Sequence, residues 1–340
     1  MKKKVTFADI AAETGFSKTT ISRYFNHPDT LTTENLKIIE DTVKKLGYRE
    51  NKLARVLANG KSEIIGVIVP TLYMHYYADL LSHILSAGDA YGYKFLVFCS
   101  DENREKEKGY LKELMAYNIE GLLVVSHVTP SQELAKLGIP VVTIEREDKY
   151  VNSVNTNNYQ GGIDATTLLT EKKCEVLIHI NADLKKCSPA YGRIRGFREV
   201  SETSGTPYCE YLRKFGNDYQ EIRRVLEPVF QDIEEKYAGR KKGIFISNDT
   251  VANVFLNRVI TKYKMLPEEY YIIGFDDSPI SREAVIPFST IRQDTTALAY
   301  SAMDILVKLM NERKKRVPVI TKTLEHRVID TKTIIRGTTK

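Results

Sequence analysis

From Ile64 onward, short uninterrupted apolar runs alternate with stretches of helical periodicity, and that alternation leaves few architectures open. The runs fall at 64–69, 95–99, 121–125, 141–144, 176–180, 243–246 and 271–274. Helical patterns lie between them at 77–91, 105–117, 159–171, 190–203, 219–236 and 250–263. Runs that are apolar at every position describe strands covered on both faces, and helices between successive strands supply that cover. The expected class is α/β with parallel, doubly wound sheets. So many elements exceed one small sheet, and 340 residues can bury more than one core, so two lobes are expected.

The first sixty residues have another grammar. Thr6 caps a helix, with Asp9 three residues on in a capping-box arrangement, and Gly15 supplies a tight turn. Ser17 then caps Lys18–Phe25, where Thr19, Ser22, Arg23 and Asn26 share one polar face. Ile21, Tyr24 and Phe25 take the other side and can pack on Ile10 and Ala11. A third helix follows Thr32 or Thr33, carries Leu36, Ile39, Val43 and Leu46 at helical spacing, and ends at Gly47. Two short helices joined by a glycine turn, the second with a polar face, form a helix-turn-helix. Its caps Thr6 and Ser17 direct backbone N–H groups toward phosphates, and Thr20, Ser22, Asn26 and Tyr48 suit phosphate or structural roles.

Charge agrees with that division. Residues 1–61 hold 12 Lys and Arg against 7 Asp and Glu, whereas the rest of the chain is near balance, with 38 against 37. The excess positive charge thus sits on the small domain, as a double-stranded DNA partner requires. Cys99, Cys174, Cys187 and Cys209 form no CxxC pair, and no histidine stands at zinc-ligand spacing, so no metal is expected. P-loop, GxGxxG, GxSxG and HExxH motifs are absent, so neither catalytic residues nor a cofactor are expected. The amino terminus lacks an apolar signal core and no run approaches a membrane span, which points to the cytoplasm.

The runs VTFADIAAETGFSKTTISRYFN and LGYRENKLARVLANGKSEIIGVIVP resemble the amino-terminal signature of the lactose-repressor/galactose-repressor (LacI/GalR) family. The resemblance continues through Ser188, Arg193 and Gly196-Phe197, then Ser247-Asn248-Asp249, Gly274-Phe275-Asp276-Asp277 and Thr290-Ile291-Arg292-Gln293-Asp294. It implies a helix-turn-helix domain at 1–50, a hinge helix at 51–61, and an effector-binding and dimerisation body at 62–340. The implied body has two periplasmic-binding-protein-like (type I) lobes joined by three crossovers. Lobe 1 spans about 62–160 plus 293–322, and lobe 2 about 161–292 plus 323–340. Lys18, Thr19 and Arg23 match the family's base-reading positions. Within the hinge, from Asn51 to Asn59, Ala54 matches the minor-groove floor and Leu57 an apolar wedge between base steps. Two hinges meet only in a homodimer, which implies a near-palindromic operator, and no leucine heptad follows Ile334-Ile335 to build a tetramer.

Ligands of open α/β sheets bind beyond the carboxyl ends of the strands, and Asp276, Asn248 and Arg193 follow three of them. The resemblance assigns these residues and Gln293 to an effector, with Tyr76 and Tyr77 as the aromatic pair after the first strand. Arg193 and Asp276 offer the planar donors and the carboxylate acceptor that vicinal hydroxyls need. For Asp277 an interlobe salt bridge or cap is the favoured role, and Phe288 is one candidate for a stacking face. Asn181-Ala182 and Asn157-Asn158 depart from the family at the cleft rim, and an extra basic group there, Arg146 or Lys185, would suit a sugar acid or phosphate. The leading expectation is a dimeric regulator, a repressor of carbohydrate-utilisation genes, controlled by a small sugar-like effector. Alternatives are a body that answers to a phosphocarrier-type protein, and a solute-binding or enzymatic body.

Overall fold

The computed structural model describes residues 5–48, 62–146, 149–313 and 323–340. The chain divides into two compact units, Met1–Ser62 and Glu63–Lys340. The first is helical: α1 (Phe7–Thr14), α2 (Lys18–Asn26), a short 3-10 turn at Pro28–Thr30, and α3 (Thr33–Leu46). The backbone N–H and hydroxyl of Thr6 both donate to Asp9 Oδ2 at 2.7 Å, which fixes the start of α1. Gly15 turns the chain at φ 73°, a left-handed conformation that side chains with a Cβ disfavour. Ile10, Ile21 and Ile39, one from each helix, are fully buried and form the core.

The second unit holds two six-stranded sheets. The first runs in the order β11-β5-β4-β3-β1-β2 and is parallel throughout. Its strands are β1 (Ile64–Val69), β2 (Lys94–Cys99), β3 (Gly121–Val124), β4 (Val141–Ile144), β5 (Asn152–Thr156) and β11 (His326–Ile329). The second runs β12-β10-β9-β8-β6-β7, parallel except for β12, and comprises β6 (Val176–Ala182), β7 (Tyr208–Arg213), β8 (Lys242–Ile246), β9 (Tyr270–Asp276), β10 (Ser289–Arg292) and β12 (Lys332–Ile334). Side chains alternate between the faces of each strand. Ile65, Val67 and Val69 meet α4 (His75–Tyr91) and α12 (Thr295–Arg313), while Ile68 meets α5 (Arg104–Ala116) and α6 (Ser131–Ala135) on the other face. In the second lobe Ile178 and Ile180 pack toward α9 (Tyr219–Lys236) and α10 (Asp249–Tyr263), and Leu177 toward α7 (Asn158–Glu171) and α8 (Tyr191–Ser204).

The chain passes between lobes at Asn157, at Gln293-Asp294 and at Asp330-Thr331. The last of these corrects the expected switch at 322–323. β11 pairs in parallel with β5, so the chain remains in the first lobe through Ile329. Without β11, β5 would be a bare sheet edge whose N–H and C=O groups lack partners on one side.

Close packing of α7 on α8 sets up the site. A Cβ on Gly162 would lie 2.6 Å from the Arg193 carbonyl oxygen, and one on Gly196 would lie 2.5 Å from that of Tyr159. Backbone therefore lies on backbone, and the approach brings the start of α7 within reach of Arg193. Gly196→Ala should force the two helices apart at a cost of about 1–3 kcal/mol, read as a lowered urea midpoint with an unchanged m-value. A midpoint equal to wild type would show that the helices have slack.

Candidate nucleic-acid interface and ligand cleft

On α2 the structure sorts the polar residues into two groups. Ser17 Oγ accepts from the Thr20 backbone N–H at 3.1 Å and lies 2.9 Å from its hydroxyl, and Asn26 Nδ2 donates to the Ser22 carbonyl and hydroxyl at 2.9 and 3.2 Å. These side chains hold the helix together. Lys18, Thr19 and Arg23 are exposed, with their functional groups available to an outside partner. Tyr48 packs its ring against Phe7 and Phe25, at centroid distances of 5.7 and 5.4 Å, so it belongs to the aromatic core of the unit. Asn51, Ala54 and Leu57 lie outside the described residues.

In the second unit a buried polar cluster forms where the two sheets end. Arg193 Nε donates to Asn158 Oδ1 at 2.7 Å and Nη1 to the Ser247 carbonyl at 2.5 Å, while its guanidinium covers the Phe275 ring at 3.7 Å. Asn158 Nδ2 in turn donates to Glu145 Oε2 at 2.9 Å, and the Thr156 N–H donates to Glu145 Oε1. Asp276 Oδ1 accepts from Gln293 Nε2 at 2.6 Å, and Gln293 Oε1 accepts from the Thr156 hydroxyl at 2.6 Å. The charges of Glu145, Asp276 and Arg193 all act on Tyr76 and Tyr77, whose rings pack 5.3 Å apart. The Tyr76 hydroxyl is buried without a hydrogen-bond partner among the described residues.

Of the residues expected in a cleft, the structure thus gathers Tyr76, Tyr77, Arg193, Asp276 and Gln293 into one site. Asn248 stands beside it, where its Oδ1 accepts from the Val251 N–H at 2.9 Å and caps α10. Arg146 is differently used: Nη1 and Nη2 donate to the carbonyls of Ser126 and Thr129, both at 2.7 Å, and clamp the loop after β3. Phe288 is fully buried in the core of the second lobe, so it offers no stacking face. Glu145 and Asn158 were not assigned to the site from sequence. Position alone marked Glu145, which directly follows β4, while Asp276 is the last residue of β9.

Two neighbouring carboxylates have opposite fates. Asp277 is buried, which pushes its carboxyl up, but hydrogen bonds from Arg336 Nη2 at 2.5 Å and Arg292 Nε at 2.6 Å hold it below the usual range. Those partners lie in its own lobe, so Asp277 is a structural ion pair. Burial pushes Asp276 up to about 7, against the opposing pull of Arg193 and the hydrogen bond from Gln293. Behind it Asp249, fully buried, is pushed up by burial and by Asp276, while accepting from the Thr290 hydroxyl and the Ser278 N–H at 2.7 and 2.8 Å. His127 keeps an accessible edge, yet burial and the Arg146 charge push its imidazole down to about 4, so it is neutral at physiological pH.

An unfolded aspartate releases its proton near 3.9, whereas folded Asp276 keeps it to about 7. The folded chain binds the extra proton across that window, so the contribution is full below about pH 4 and is lost as the pH rises to about 7. Asp276→Asn should remove this slope. Urea midpoints of wild type and variant at pH 5 and 7.5 test it, and an equal change in both proteins would count against the assignment.

Residues 62–232 match the family of periplasmic binding proteins and sugar binding domains of the LacI family, and residues 166–339 match the periplasmic binding protein-like domain. The ribose operon repressor of Halalkalibacterium halodurans is 28% identical, with 98% of this chain and 97% of that protein covered. Catabolite control protein A of Priestia megaterium is 27% identical over 95% of this chain and 97% of its own length. Among solved structures, the lac repressor dimer bound to operator and the anti-inducer ONPF superposes with a TM-score of 0.82 at 20% identity, covering 99% of both chains, a likeness of fold. A periplasmic binding protein/LacI transcriptional regulator from Alkaliphilus metalliredigens QYMF, complexed with D-xylulofuranose, superposes with a TM-score of 0.70 at 26% identity, covering 82% of this chain and all of the other. No helix among the described residues is long and apolar enough to cross a membrane.

Proposed function

The chain belongs to the LacI family, and we propose on that premise that it is a sequence-specific DNA-binding regulator that represses carbohydrate-utilisation genes under the control of a small sugar-like effector. The observation that carries the reading is the cluster of Arg193, Asp276, Gln293, Glu145 and Tyr76 at facing sheet ends, in a chain whose other unit is a helix-turn-helix. Planar donors, carboxylate acceptors and a buried phenol suit a polyhydroxyl ligand. The ribose operon repressor and the D-xylulofuranose complex among its relatives support that class. The regulator acts in the cytoplasm as a homodimer on a near-palindromic operator. The family resemblance makes residues 51–61 the hinge, with Leu57 as the wedge between base steps, Ala54 at the groove floor and Asn51 a further DNA contact.

Reading and response then divide between the units. Lys18, Thr19 and Arg23 read bases, while Thr6, Ser17, Thr20, Ser22 and Asn26 position α2 against the backbone. The ligand acts on DNA affinity only through its unequal affinity for two arrangements of the lobes. A gel shift with the DNA upstream of the neighbouring genes, with and without sugars, tests the whole reading. A shift that weakens or strengthens on adding a sugar is expected, and failure to bind that DNA would overturn the reading.

Two finer outcomes follow. Substituting Lys18 or Thr19 should change discrimination at one or two base pairs by roughly 1–3 kcal/mol. Equal weakening on every sequence would make these residues phosphate anchors. Arg193→Ala should retain operator binding, which also certifies its fold, and lose the response to effector. An unchanged effector affinity in that variant would remove Arg193 from the site.

A further inference from the structure

We propose that the cleft takes an uncharged polyhydroxyl compound and discriminates against the same carbon skeleton carrying a phosphate or a carboxylate. The inference rests on the proposed function and narrows it by fixing the charge class of the effector.

The first ground is the commitment of the cations. An anion seeks a guanidinium fork with free donors. Arg146 has donated Nη1 and Nη2 to the Ser126 and Thr129 carbonyls, and an anion that recruited it would leave both buried oxygens without those bonds. Arg193 has committed Nε to Asn158 and Nη1 to Ser247, and one face of its guanidinium covers Phe275, so its Nη2 end is what remains to reach a ligand. Lys185 lies exposed, where water and salt weaken its charge. His127 supplies no charge at neutral pH.

The second ground is the sign of the remaining groups. Glu145 and Asp276 are buried, and neither forms an ion pair among the described residues. Both act on the tyrosines of the site, opposed there by the Arg193 charge, so a ligand anion resting among them meets two carboxylates against one cation. Two like charges about 5 Å apart at an effective dielectric of about 20 repel enough to weaken binding on the order of a hundredfold. Burial also opposes the charge itself, as it does for Asp276.

The third ground is what the site lacks. The buried Tyr76 hydroxyl has no partner among the described residues, and above about pH 7, where Asp276 gives up its proton, the carboxylates offer acceptors only. A sugar hydroxyl donates and accepts at once, so one hydroxyl can give its proton to a carboxylate while accepting from the phenol. A phosphate dianion can accept from Tyr76 and has nothing to give Glu145 or Asp276.

Calorimetric titration of the full-length protein at pH 7.5 tests the proposal with D-ribose, D-xylose and D-glucose as neutral probes. D-ribose 5-phosphate, D-glucose 6-phosphate and D-gluconate are their charged counterparts, and each binder is repeated in the operator gel shift. Any neutral sugar that binds should lose at least about tenfold in affinity on phosphorylation or oxidation. Asp276→Asn, whose amide oxygen can still accept from Gln293, should narrow that gap. A charged form binding as tightly as its neutral parent would overturn the proposal, and an unchanged gap in the variant would overturn its assignment to the carboxylates. Failure of every probe of both kinds, with operator still bound, would instead overturn the reading of the cleft as a carbohydrate site, and this inference with it.

Discussion

The Arg193 guanidinium is the constraint around which the polar cluster at the sheet ends is arranged. It starts from α8, reaches Asn158 at the head of α7 and the Ser247 carbonyl just beyond β8, and lies flat on Phe275 of β9. A buried charge is tolerated only where hydrogen bonds replace the water it has lost, and each of these partners is therefore held in place by a need rather than by simple contact. The demand passes onward. Asn158, turned toward Arg193 by its carbonyl oxygen, presents its amide to Glu145 of the other lobe. One electrostatic requirement thus ties both lobes into a continuous polar path.

Local signals were readable in the sequence because their partners are close in the chain. Thr6 with Asp9, Gly15 before α2, and Ser17 over Thr20 each act within four residues, and each forms as its spacing implies. The parallel sheets were readable for a similar reason, since a continuous apolar run states its burial at every position. β5, with Asn152, Ser153 and Asn155, states no such thing; it is a strand because β4 and β11 flank it. β11 and β12, at four and three residues, are too short to show a period at all.

The cleft was half legible. Asp276, Arg193 and Gln293 carried a family pattern at strand ends; Gln293 donates to Asp276, and the Arg193 charge acts on Asp276 without bonding it. Arg146 was expected to offer its charge to a ligand and instead spends it on two carbonyls twenty and seventeen residues away. Nothing near Arg146 in sequence announces that, because the acceptors are main-chain oxygens, which every residue carries. Asp276 and Asp277, adjacent and chemically identical, were given different roles from sequence, and their backbones at φ 123° and 55° do send them to unlike surroundings, with Asp277 paired to Arg292 and Arg336.

The three passages between the lobes have a mechanical consequence. They are fastened side by side: the Asn157 N–H donates to the Ile329 carbonyl at 2.8 Å, and Thr156 bonds Gln293 at 2.6 Å. One tether would let the lobes swivel, slide and twist, and two would still permit rotation about the line that joins them. Three tethers laced together suppress shear and torsion and leave a single bending coordinate. A molecule held by groups of both lobes would therefore act on their arrangement along that coordinate.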